Sequence, residues 1–329
     1  MLKTNAAAAL SLWLGLICLI AAHGAGTAAT AYPARPVTLV VGFPPGGASD
    51  IMARILTARL SSVLGKPFVV DNRPGAGGNV AGAFVAHAAP DGYTLLLGNN
   101  AILATNITLY RKTGFDPVKD FAPISLIGTQ ANVLVVNKAV QAHSLTELIA
   151  LAKANPGKLN FASSGYGLAA HLAGELFKAQ AHIDIVHVPY KGSAPALQDV
   201  IAGQDQMMFA TTSGVMGFLE NGQVRALAVT TRKRTAILPN VPTMDEAGLP
   251  GFEATTWHGL VAPAGTPPAI VAVLHQAIVE TLADQGVRQR LQKLGIDLVG
   301  STPAEFAAYI QSEIPKWAAV IKTSGAKLN

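Results

Sequence analysis

The sequence predicts an α/β protein of two domains, on three observations. From residue 32 onward, short runs rich in Val, Leu and Ile alternate with helix-length amphipathic segments. Those apolar runs are strand-length and apolar on both faces, which implies mostly parallel sheets covered by helices on each side. At roughly 150 residues per domain, a chain of 329 residues is long enough for two cores.

Residues 1–31 stand apart. One charge, Lys3, precedes an uncharged stretch over 6–22 and a run of small residues over 23–31, the layout of an export signal. Ala29-Thr30-Ala31 fits the small-x-small rule and places the cut after Ala31, with Ala28 as a second candidate. Removal would take away Lys3 and the single cysteine, Cys18, and reduce the net charge from +5 to +4. Ile17, directly before Cys18, argues against lipid attachment. An uncleaved anchor is the alternative, although the apolar stretch is at the short limit for a span.

Strands are expected at 37–42, 68–71, 94–98, 124–127, 133–136, 160–162, 183–188, 207–209, 226–230 and 259–262. Helices are expected at 50–64, 79–88, 144–155, 169–180, 194–202, 267–285, 287–294 and 302–323. The helix from Ser144 opens with a capping-box pattern, Glu147 standing three residues on, and stops at Asn155-Pro156-Gly157.

Composition removes several functions. The 24 basic and 19 acidic residues are scattered, the longest basic cluster is Arg232-Lys233-Arg234, and only 6% of residues are aromatic, so nucleic acid is not an expected partner. With one cysteine there is no disulfide framework and no cysteine-based metal site. The glycines around Gly75, Gly77 and Gly78 fail the dinucleotide spacing because Val80 stands where the third is needed. No phosphate-loop pattern occurs, and Ala162 breaks the nucleophile-elbow pattern before Ser164. His171 and Glu175 lack the companions of a zinc protease. His182 and His187 fall on opposite faces of a strand, while His258 reads as a hydrogen-bonded histidine at a strand end and His171 as a support for its loop. No cofactor or metal is called for.

The positive signal lies in two loops. Phe43-Pro44-Pro45-Gly46-Gly47 joins a strand to a helix, with prolines fixing φ and glycines permitting close approach of backbone to a ligand. Ser163-Ser164-Gly165-Tyr166-Gly167 echoes it, adding hydroxyls at a second helix start. Each presents backbone N–H groups at a helix N-terminus, suited to an anion, and together they fit one ligand gripped by two lobes. Asn99 and Asn100 follow a strand, where open α/β sheets present ligands.

Five motifs carry a family resemblance: Tyr32-Pro-Ala-Arg-Pro36, Phe43-Pro-Pro-Gly-Gly-Ala-Ser-Asp50, Val70-Asp-Asn-Arg-Pro-Gly-Ala-Gly-Gly78, Pro90-Asp-Gly-Tyr-Thr-Leu95 and Val188-Pro-Tyr-Lys-Gly192. Segments 222–230, 239–252 and 262–267 extend it over the whole chain beyond the leader. The chain resembles the Bug (TctC-like) proteins, periplasmic solute receptors of tripartite tricarboxylate transporters. The resemblance implies a two-lobed periplasmic-binding-protein fold, type II-like, with each lobe a mostly parallel sheet flanked by helices and the ligand in the cleft between lobes. Carried onto this chain, lobe one spans 32–131 plus 254–329 and lobe two 132–253. It also implies periplasmic location, a monomer, a small carboxylate ligand and membrane permease subunits as partners. Ligand contacts fall by resemblance on Phe43, Ala48, Ser49, Asn99, Ser163, Ser164, Gly165 and Gly167, with Tyr190 and Lys191 at the cleft edge.

Two departures bear on the ligand. Leu168 stands where many members carry Thr or Ser, and Ala210 where many carry Asp. Lost polar contacts of about 1 kcal/mol each point to an apolar carboxylate, aromatic or aliphatic, rather than an amino acid or citrate. Two alternatives stay open: a receptor presenting its ligand to a membrane sensor kinase, and an exported α/β enzyme, for which no activated nucleophile is in view.

Overall fold

The computed structural model describes residues 32–326, so the leader, its cleavage point and Cys18 lie outside the described residues. The chain from Arg35 onward clusters as one compact unit built on two sheets. The first contains β1 (Val37–Val41), β2 (Phe68–Asn72), β3 (Thr94–Asn99), β4 (Phe121–Gln130), β10 (Thr256–Pro263) and β11 (Ile296–Leu298), in the order β11-β4-β10-β3-β1-β2. The second contains β5 (Asn132–Asn137), β6 (Asn160–Ser163), β7 (Val186–Pro189), β8 (Met207–Thr211) and β9 (Val224–Val229), in the order β7-β6-β8-β5-β9.

Both sheets are mixed. β1 pairs in parallel with β2 and β3, while β10 lies antiparallel between β3 and β4. In the second sheet β6 pairs in parallel with β7 and β8, and β5 runs antiparallel between β8 and β9. Apolar runs such as 95–97 and 133–136 are fully buried in either pairing, because helices cover both faces; strand composition therefore reports coverage rather than direction.

The helices are α1 (Ala48–Leu64), α2 (Asn79–Ala86), α3 (Asn106–Leu109), α4 (Leu145–Ala154), α5 (Ala169–Ala181), α6 (Ser193–Ala202), α7 (Thr212–Glu220), α8 (Pro268–Ala283), α9 (Gln285–Lys293) and α10 (Pro303–Ser324). A π turn over Ala101–Thr105 leads into α3. Neither α3, its π turn, α7 nor β11 has a counterpart among the expected elements. β4 is longer than expected because it pairs along β10 from Phe121 to Gln130 despite Pro123.

Adjacent crossings join the sheets. The Asn132 N–H donates to Thr230 Oγ1 at 3.0 Å, and its side-chain amide donates to the Ala254 carbonyl at 3.1 Å, tying the outgoing strand to the returning one. One apolar core runs through both sheets, from Val40 and Leu96 to Phe161, Phe209, Trp257 and Phe306. On α10 the buried Glu313 carboxylate accepts from the indoles of Trp257, at 3.0 Å, and Trp317, at 2.8 Å. A buried carboxylate needs such donors to offset desolvation, and here they pin the last helix to β10.

Candidate functional site

The loop over 43–47 leaves the carboxyl end of β1 and turns into α1. Asn72 Nδ2 donates to the Phe43 carbonyl at 3.0 Å, and the Phe43 ring lies over Gly78. Gly47 occupies the N-cap of α1 and has no side chain to satisfy the first helical N–H groups. Asp50, buried in the first turn, accepts from Gly46 N–H at 2.9 Å and from Arg54 Nε at 2.9 Å. The Arg54 hydrogen bond pulls its carboxyl down to about 2 against the opposing cost of burial. Arg54 is thereby committed to Asp50. Ser49 is nearly buried, and its hydroxyl meets Nε2 of the buried His258 at 2.9 Å. Burial pushes that imidazole down to about 4, so it is neutral near pH 7. β10 places His258 opposite Asn99, whose Oδ1 accepts from Ile102 N–H at 3.1 Å. Ala48 is exposed at the start of the helix.

The second loop leaves β6 and turns into α5, with Leu168 as its N-cap and again no side-chain acceptor. Gly167 N–H donates to His171 Nδ1 at 2.9 Å, which puts the imidazole proton on Nε2, facing Glu175. Ser163 is fully buried; its hydroxyl meets His187 Nε2 at 2.6 Å and accepts from Gly165 N–H at 3.2 Å. His171 and His187 stack with ring centres 4.0 Å apart, and Tyr166 stands edge-on to both. Burial first, then neighbouring positive charge, lowers these histidines to about 4 and about 3. The loop therefore rests on two neutral rings.

A chain of contacts joins the loops. Phe43 touches Gly78, Gly78 packs on Ile102, and Gly77 lies against Asn106 and Tyr110. One turn on, Leu109 meets Gly167 so closely that a Cβ on that glycine would lie 2.3 Å from Leu109 Cδ2. With φ of +74°, Gly167 is a position where a side chain is excluded twice.

The structure assigns several expected residues to different work. Ser163 and Gly167 are buried and shape the loop, whereas Ser164 and Gly165 are half-buried beside them. The Tyr190 hydroxyl is spent on Asp199 at 2.7 Å and Asp205 at 2.6 Å; burial and these carboxylates raise its pKa, so it stays protonated. Lys191 is exposed. Leu168 is 43% exposed, while Ala210 packs in the core beneath α6 and α7. His187 and His258 act as supports; the expected strand joining His182 to His187 begins only at Val186, with His182 instead capping the end of α5, and the sequence places His258 only generally. Their polar positions in otherwise apolar strands were the available signal. Among the described residues no group of His, Cys, Asp or Glu is arranged to hold a metal, and no helix is long and apolar enough to cross a membrane.

Residues 52–326 match the model of the tripartite tricarboxylate transporter family receptor. The chain belongs to that family. Protein BugT of Bordetella pertussis is 39% identical over 96% of this chain and 97% of its own length. A protein of R. palustris solved with adipate superposes with a TM-score of 0.76 at 40% identity, covering 90% of this chain and all of the other. The Rhodopseudomonas palustris protein MatC with bound malate gives a TM-score of 0.72 at 36% identity, covering 88% of this chain and all of the other. The family is one of solute-binding receptors rather than enzymes, and the two-lobed α/β fold expected from the sequence is the fold of these relatives.

Proposed function

We propose that this receptor captures a small carboxylate between the loops at 43–49 and 163–168 and delivers it to permease subunits in the membrane. The observation that carries this reading is the pair of helix starts at Gly47 and Leu168, both without a side-chain cap and linked through Phe43, Gly78, Leu109 and Gly167. Helix N-termini supply partial positive charge where the nearby arginine is already paired. Phe43, Ala48, Ser49, Asn99, Ser164 and Gly165 line the ligand, Lys191 stands at the edge, and Ser163, Gly167 and Tyr190 position the loops. The lobes are 32–131 plus 254–329 and 132–253, a division supported by which strands share a sheet. Ligand between them favours the closed population. The protein works in the periplasm as a monomer after removal of residues 1–31.

The ligand is an apolar carboxylate, aliphatic or aromatic. Relatives solved with adipate and malate support the carboxylate class, and Leu168 and Ala210 support the apolar preference. Native mass spectrometry of protein taken from the periplasm, followed by calorimetry over a carboxylate panel, tests the reading. Adipate or benzoate is expected to bind and glutamate and citrate are not. Binding of glutamate or citrate alone would overturn the preference.

A further inference from the structure

A cavity of about 230 Å³ lies on the face of β8 between the first turns of α6 and α7. Leu197, Met208, Ala210 and Phe218 line it with Ser193 and Thr211, and no charged side chain does. It adjoins the serine loop for a reason of register. β6 pairs in parallel with β8 at Ala162 and Met208, and two residues further along each chain come Ser164, in the serine loop, and Ala210, in the lining. Gly192 N–H donates to the Ser164 carbonyl at 3.1 Å, and the next residue, Ser193, is already part of the lining.

We infer that this cavity receives the apolar tail of a carboxylate whose head lies at the serine loop, and so sets which acid is carried. The inference rests on the carboxylate reading above and goes beyond it by naming the group that discriminates among acids. Whole-ligand pockets begin near roughly 300 Å³, so this space suits part of a molecule. A charged group seated inside it would lose its water with no opposite charge to meet it, so a dicarboxylate such as adipate has to keep its second carboxylate outside. An alkyl chain or a ring meets methyl, thioether and phenyl groups instead.

The probe is a straight-chain monocarboxylate series from butanoate to octanoate, titrated by calorimetry against the intact protein. Affinity is expected to rise about fourfold per methylene that enters the cavity, then level off. Ala210→Leu, which fills the space, is expected to weaken octanoate at least tenfold more than butanoate. Phe218→Ala, at a half-buried site, enlarges the space and moves the plateau to longer chains; it serves as the second variant should Ala210→Leu fold poorly. Affinity independent of chain length, or variants that change butanoate and octanoate by the same factor, would overturn the inference while leaving the carboxylate reading intact. Absence of binding by every small carboxylate would overturn both.

Discussion

Helices α1 and α5 begin at Gly47 and Leu168, whereas α4, α9 and α10 begin at Ser144, Asp284 and Thr302. The first pair faces the proposed cleft and offers no side-chain acceptor to its opening N–H groups. In the second set, Ser144 accepts from Glu147 N–H, Asp284 from Val287 N–H and Thr302 from Glu305 N–H. A cap is worth about 1 kcal/mol; α2, α3, α6, α7 and α8 also begin without one, so what sets α1 and α5 apart is that their uncapped starts carry the two glycine-rich loops. The supports differ as well: neutral His171 and His258, both buried, and half-buried His187 hold the cleft loops, while the ionised Glu305 completes the box on α10.

The largest way to separate the two regions is acid. All three histidines have folded pKa values below the ordinary 6.5, so on acidification the unfolded chain takes up their protons first. Stability is full above about pH 6.5 and falls as pH drops toward their folded values of about 4 and about 3. Asp50 and Glu305, with lowered values, keep their contributions down to more acidic solution. Hydrogen exchange at pH 5 should therefore show the serine loop loosening while the start of α10 stays protected; equal protection would erase the contrast. Next in size, Gly167→Ala forces a Cβ into Leu109 at a positive φ and is expected to reduce carboxylate affinity by roughly 100-fold, about 3 kcal/mol, with a lower melting temperature. Leu168→Asp supplies α5 with the missing cap: the melting temperature should rise while affinity drops roughly tenfold, since the side chain competes with the ligand and repels it. Smallest is Thr302→Ala, expected to cost about 1 kcal/mol in denaturant unfolding and to leave affinity unchanged.

Much of this was legible in the sequence. Segment 37–64 announces strand, glycine turn and helix, and the structure gives β1, one residue shorter at its end, and α1, two residues longer at its start. The cap at Ser144 was also readable, although Glu147 reaches back to His143 N–H rather than to the cap residue's own. What escaped depends on neighbours distant in sequence. The antiparallel placement of β10 is fixed by which strands it lies between, and an apolar run looks the same in either direction. α7 escaped because Thr212 to Gly217 is poor in strong helix formers; Val215 packs into the second core and decides the matter. At the site, the glycines and hydroxyls were visible, but not that Ser163 would be sealed against His187 or that Asp199 and Asp205 would occupy Tyr190. Those pairings join different elements and leave no local pattern.

The place of β10 also orders events in time. A chain emerging from its N-terminus has β1 to β4 long before residues 256–263 exist, yet β3 and β4 are joined only through β10. The second sheet draws on β5 to β9 alone and waits for nothing later. The half made in the middle can thus mature first, while the half begun earliest stays open, with two raw strand edges, until the last quarter of the chain arrives. Late completion thus keeps one half unlocked until β10 has been made.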